Sequence, residues 1–226
     1  MNYEKKVNSK LHIFFDWLYK LLIMNVLTFF FSILIVTFLP AITAMNATIK
    51  YDMNDTRIFR CYFSNFKRYF WKSFKIELLF LVVGLIVFYA FYFYSYGIFT
   101  QEDTPYYNVF KIIFQVGVAV ILLLGIIVVL MCLHLPLLII TFESLTVMET
   151  VKTAFYIVFR YFLTTLILLA MFILKIIGTI AAPIWLLVGL SLPTLLGIKL
   201  TYPVYYKFEN IDLEKIMHQV EEDLDE

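Results

Sequence analysis

The sequence predicts an all-α membrane protein, and three observations predict it. Of its 226 residues 62% are hydrophobic and only 15% are charged, so a soluble globule of this composition would carry a largely apolar surface. Five apolar stretches approach the ~20 residues needed to cross a ~30 Å hydrocarbon core. Between the first two lies a basic, aromatic stretch, residues 57–70, too charged to cross a bilayer and too aromatic for a solvated loop. The expected fold has about five transmembrane helices plus amphipathic interfacial helices on the cytoplasmic side. These form one membrane domain over residues 1–206, followed by an acidic cytoplasmic tail over 207–226.

The first expected span covers 18–39 and stops at Pro40, since proline ordinarily ends a helix. A polar connection follows, in which Asp55 or Thr56 can cap the next helix. In that helix Phe59, Tyr62, Phe63, Phe66 and Phe70 fall at helical spacing on one face. Arg60, Lys67, Arg68 and Lys72 lie elsewhere on the wheel. The helix, with Arg57 at its start, is expected to lie along the membrane surface, rings at the acyl boundary and cations toward phosphate or a partner.

The second span is expected at 76–97 and the third at 109–133. The aromatic cluster at 88–96 suits an interfacial belt. Thr146-Val147-Met148-Glu149 reads as a capping box opening a second amphipathic helix, with Met148, Val151, Phe155 and Phe159 on its face. The fourth span, 155–174, carries Arg160 in its first turns, which must snorkel. The fifth, 176–198, holds Pro183 well inside, where a kink is expected. Leu213, Ile216, Val220 and Leu224 give the acidic tail one apolar helical face.

Lysine and arginine counts set the orientation. With five crossings, twelve of the eighteen fall on the side of the C-terminus and six opposite, which places the C-terminus in the cytoplasm and the N-terminus outside. The N-terminal cations oppose this arrangement. The alternative is a re-entrant turn at Pro40, which holds both basic regions inside. The first apolar run lacks a cleavage site and reads as a retained span of a multi-pass protein.

Few titratable groups fall inside the apolar runs. His134 has no HExxH, Cys-x-x-Cys or paired carboxylate beside it and reads as a packing histidine. Glu77 reads as the partner of Lys72 or Lys75 at a span boundary, and Glu143 as a solvated residue. Cys61 and Cys132 read as free thiols. No GxSxG elbow and no Gly-rich phosphate loop is present, so neither a serine hydrolase nor a nucleotide-hydrolysing enzyme is expected, and no cofactor or nucleic acid is implied. The polar and proline residues Asn25, Pro40, Asn46, Gln115, His134, Pro136 and Pro183 are the candidates for a solute pathway, because broken helices line such sites in transporters.

The run from Asp16 to Asn25 (DWLYKLLIMN), continuing through Thr37-Phe38-Leu39-Pro40-Ala41 and Ala44 to Phe59, Phe63, Phe66 and Lys67, resembles the YesL-like family of uncharacterised bacterial integral membrane proteins. The resemblance covers roughly the first 75 residues; at Phe38 the family more often has Gly. It implies a single multi-spanning domain in the cytoplasmic membrane, encoded near carbohydrate-uptake and glycoside-degrading systems, with no assigned reaction. The function expected is therefore a non-enzymatic accessory or regulatory component beside a carbohydrate ABC-type importer. The alternative is a small solute transporter or channel-like homo-oligomer.

Overall fold

The computed structural model describes residues 10–100, 107–181, 189–201 and 203–206. Pro183 and the acidic tail lie outside the described residues. The described residues are helical, without strands: α1 (Lys10–Ser32), a 3-10 turn (Ile35–Thr37), α2 (Phe38–Tyr51), α3 (Ile58–Thr100), α4 (Tyr107–Thr141), α5 (Val147–Arg160), α6 (Phe162–Ala181) and a further helical segment at 191–201. Three stretches are long and apolar enough to cross a membrane: His12–Ser32, Ile58–Tyr96 and Lys111–Thr141. Val147–Arg160 and Phe162–Gly178, bent by 100° at Tyr161, make a fourth if taken as one broken span.

Packing follows membrane rather than aqueous logic. Thr28, Thr43, Thr48, Asn65, Ser73, Thr150 and Thr165 are buried, while Leu85, Ile86, Phe88, Leu123 and Ile126 face outward. Small and polar side chains let helices approach and bond to one another, and lipid can solvate the large apolar ones. Ser73 Oγ lies 3.3 Å from Thr43 Oγ1, and Asn65 Nδ2 donates to Thr48 Oγ1 at 3.1 Å and to Asp52 at 2.7 Å.

The expected first span is two helices. The helix breaks after Ser32 and restarts at Phe38, with Pro40 inside the new first turn. A first-turn N–H has no intrahelical acceptor, so proline opens a helix there at little cost. The side chain of Lys20 pairs with Asp16 at 2.7 Å and donates to the carbonyl of Met53 at 3.2 Å. A residue in α1 thus lies beside the end of α2, and residues 20–53 form a helical hairpin. Its depth, twelve residues from Lys20 to Ser32, is only about 18 Å.

The basic segment is not a separate surface helix. It is the first half of α3, 43 residues or about 65 Å of unbroken helix. Its inward face also differs from the expected one: Ile58, Tyr62, Asn65, Tyr69, Ser73, Ile76 and Glu77 are buried, Phe63, Phe66 and Phe70 are half-buried, and Phe59 is exposed. Here the inner neighbours are the hydroxyl-rich α2 and Phe31 of α1, so polar residues that can bond across the seam outrank rings.

Helix α4 continues through Pro136 to Thr141 rather than stopping near residue 133. The expected break between the fourth and fifth spans is absent, since Lys175 lies within α6; the chain bends at Tyr161 instead. The Thr146–Glu149 capping box is present in both directions. In α5 the protein-facing side is Thr150, Ala154, Ile157 and Val158. Met148, Phe155 and Phe159 point out and Val151 is half-buried, so the aromatic face is the outer one.

Candidate functional site

Helices α2, α3, α4, α6 and the 191–201 segment line a half-open cavity of about 410 Å³. Most of its wall is apolar, with Phe38, Phe80, Leu133, Leu168 and Phe172 among the lining residues. Four polar side chains interrupt it: Asn46 from α2, Glu77 from α3, Lys175 from α6 and Thr194. Such a volume falls within the range of small-molecule sites, as does the pattern of a few polar groups on an apolar wall.

Each polar group is held from its own element. Pro40 and the break before it expose the first N–H groups of α2, and Glu77 Oε1 accepts from the N–H of Leu39 at 3.1 Å. A carboxylate at a helix N-terminus also meets the favourable end of the helix dipole. Glu77 is 7% exposed and its second oxygen, Oε2, has no hydrogen-bond partner among the described residues. Asn46, two turns further along α2 and 4% exposed, likewise has an unpartnered Oδ1. Across the cavity Lys175 Nζ donates to Thr194 Oγ1 at 2.8 Å, and that hydroxyl donates to the carbonyl of Leu190 at 2.6 Å. The expected boundary pair of Glu77 with Lys72 or Lys75 is not formed, because Glu77 turns inward to α2 while Lys72 is engaged elsewhere.

The candidate pathway residues among the described ones do not share one site. Asn46 and Pro136 line the cavity. Pro40 is buried in α2 beside it, and Gln115 is exposed on α4. Asn25 is buried against the 191–201 segment, where Oδ1 accepts from the N–H of Ser191 at 2.8 Å. His134 is fully buried, with Nδ1 2.6 Å from the Tyr205 hydroxyl and Nε2 2.9 Å from Thr165 Oγ1. This is the packing role expected of it, tying α4 to α6 and to the helical segment at 203–206. Glu77 and Lys175 were missed as site residues. The signal was an ionisable residue inside each of two apolar runs, which marks function in membrane helices more often than chance.

Basic residues of α2 and the first half of α3 form a second polar region, at the C-terminal end of α4. Lys72 Nζ donates to the carbonyl of Phe142 at 2.8 Å and of Glu143 at 3.3 Å. Lys50 reaches Thr141 Oγ1 at 3.1 Å, and the Tyr51 hydroxyl donates to the carbonyl of Ile140 at 3.0 Å. Together these cap the carbonyl end of α4, where positive charge is favoured. Arg68 pairs with Glu143 at 2.6 Å and the Tyr69 hydroxyl donates to the same carboxylate at 2.5 Å. Partial burial pushes the Glu143 carboxyl up. The hydrogen bonds from Tyr69 and Arg68, with the charges of Arg68 and Lys72, outweigh it and hold the group below the usual carboxylate range. Glu143 is exposed, as expected of it, but it is also held by Arg68 and Tyr69.

Arg57, Arg60 and Lys67 remain on the outer surface. Asp55 does not cap α3, which starts at Ile58. Its Oδ1 accepts from the N–H of Arg57 at 2.8 Å, bracing the turn that leads into the helix.

Residues 21–91 match the model of a family described as "Protein of unknown function, DUF624". The matched stretch runs from α1 into the second half of α3 and contains Asn46 and Glu77. No curated protein and no solved structure matches the chain.

Proposed function

We propose that this chain is a multi-pass protein of the bacterial cytoplasmic membrane that holds a small solute within the membrane, as a transporter or channel-like oligomer, without covalent chemistry. The cavity carries this reading. Ionisable and amide groups cost free energy inside an apolar bundle, and intramembrane positions of this kind mark solute paths. The broken α1–α2 element beside the cavity supports it too, since broken helices build such sites. Reconstituted alone into liposomes, the chain should move a solute, and Ile42→Trp, which narrows the cavity, should slow the flux. Flux unaffected by filling the cavity would overturn the reading.

A second reading is a non-enzymatic accessory or regulatory component of a carbohydrate ABC-type importer. The YesL-like resemblance of the first 75 residues supports it. So does the outer length of the α3–α4 hairpin, whose apolar side chains face outward and are open to lipid or partner helices. Tagged protein should then bring down importer subunits. Purification without any such chain from cells expressing the importer would count against it.

The topology proposal follows the α1–α2 hairpin. A re-entrant first element, followed by crossings in α3, α4, α6 and the segment that includes 191–201, puts both termini in the cytoplasm. On that path all Lys and Arg except Lys111 and Lys175 fall inside, sixteen of eighteen, against twelve for five crossings. The opposition of the N-terminal cations disappears.

A further inference from the structure

We propose that the cavity is a binding site for an amphipathic primary amine, its ammonium on Glu77 and a second hydrogen-bond donor on Asn46. The proposal rests on the solute-holding reading above and names the chemistry of the occupant.

Three observations carry it. Glu77 and Asn46 are both more than nine-tenths buried and both line the cavity, and each carries a buried acceptor, Oε2 and Oδ1, without a partner among the described residues. Buried acceptors of this kind are rare, because leaving one unmet costs roughly 1–3 kcal/mol. An occupant that meets them must donate, which excludes an anion at that wall. The carboxylate, moreover, is oriented by its other oxygen. The N–H of Leu39 fixes Oε1, so Oε2 is presented in one direction rather than free to rotate away. Finally, the wall between the polar groups is aliphatic and aromatic. A fully polar cation would be stripped of water there without compensation, whereas an amine on an apolar body is matched at both ends. Seven residues of helix separate Leu39 from Asn46, about 10 Å, so the ammonium and the second donor are set apart along the occupant. Two sources share this chemistry, the aminoethyl headgroup of a phospholipid and a free amphipathic amine.

Cys132 also lines the cavity and is a free thiol, which supplies a reporter that needs no transport activity. The full chain carrying Cys61→Ser is reconstituted in phosphatidylglycerol vesicles, and modification of Cys132 by a small methanethiosulfonate is timed. Octylamine should slow the modification saturably, and octanol should not. In Glu77→Gln the amide oxygen still accepts from Leu39, so the unliganded rate should persist while the midpoint for octylamine rises roughly tenfold or more, as loss of a charged hydrogen bond requires. Asn46→Leu is a second, uncharged test that carries the proposal if Glu77→Gln does not fold; it should weaken protection by amines that bear a hydroxyl. Protection by added phosphatidylethanolamine alone identifies the lipid source, and by octylamine alone the free amine; either supports the site. Equal protection by octylamine and octanol would overturn the amine specificity and leave the cavity reading standing. No protection by any of these probes would overturn both.

Discussion

Arg68 and Glu143 meet at 2.6 Å across 75 residues of sequence, and the hydroxyl of Tyr69 reaches the same carboxylate. The contact closes α3 onto the loop after α4 at the end where Lys72 caps the α4 carbonyls. Because the carboxyl of Glu143 is held below its ordinary value of 4.5, the contact contributes stability that is fully present above about that pH. The contribution is lost as pH falls through the lower folded value. Both side chains are substantially exposed, so screening limits the pair to about 0–1 kcal/mol. Melting temperature in detergent should fall on acidification below 4.5 by more in the wild type than in Glu143→Gln. Parallel curves would show that Glu143 is not the titrating group.

His134 predicts a larger effect. His134→Leu leaves the buried Tyr205 hydroxyl without this partner, worth roughly 1–3 kcal/mol when unmet, while Thr165 keeps its bond to the carbonyl of Tyr161. Tyr205→Phe removes one of the two bonds and should cost less. A double-mutant cycle should show the two changes to be non-additive, since they share one hydrogen bond. Strict additivity would mean that the pair is not coupled.

Glycines 84 and 117 should separate cleanly. A Cβ at Gly117 would sit 2.3 Å from the Tyr94 ring, while at Gly84 it meets nothing within 4 Å. Gly117→Ala should therefore destabilise by about 1–3 kcal/mol, with relief in a Tyr94→Ala background. Gly84→Ala should be neutral or gain up to about 1 kcal/mol from helix propensity. Thermal melts of the three variants decide it; a stable Gly117→Ala protein would show the ring moves aside freely.

The helical class, the α3 and α4 runs and the capping box at Thr146 could be read from the sequence, because hydropathy and local side chain-to-backbone chemistry need no tertiary partner. The face of α3 could not. Spacing groups Phe59, Tyr62, Phe63, Phe66 and Phe70, yet of these only Tyr62 is fully buried, and the seam runs from it through Asn65, Tyr69 and Ser73; the partners Thr28, Thr48, Glu143 and Thr43 are distant in sequence. In a membrane the most apolar face is not the buried one, so periodicity marks a face without saying which way it looks. Helix α2 was hidden for a related reason: with two threonines, a methionine and an asparagine in its buried stretch it reads as a polar connection. Glu77 could be seen as an odd carboxylate, but its target, the start of α2, existed only once α2 did.

The corrected face gives its own test. Tyr62 is fully buried and donates to the carbonyl of Ala41 at 3.3 Å, whereas Phe59 is exposed. Tyr62→Ala should cost about 3–5 kcal/mol, as large-to-small changes of buried aromatics do. Phe59→Ala should change melting little. A reversed order would restore the surface-helix arrangement in which Phe59 anchors the face.

The α1–α2 hairpin decides where the N-terminus lies, and single cysteines can locate it. His12 near the start of α1 and Asn54 after α2 are both exposed, and Lys20 bonded to Met53 brings the two ends of the hairpin together. Although His12–Ser32 is long enough to cross, the part of α1 paired with α2 is only about 18 Å deep, and on the topology proposed above the hairpin should enter and leave on one side. In a chain with Cys61 and Cys132 changed to Ser, His12→Cys and Asn54→Cys should both resist an impermeant maleimide on intact cells and both react after permeabilisation. If α1 crosses instead, His12→Cys reacts on intact cells while Asn54→Cys stays protected. Reaction of Asn54→Cys on intact cells would invert the chain and place the Lys50–Lys75 cations outside, against the charge rule that orients the whole reading.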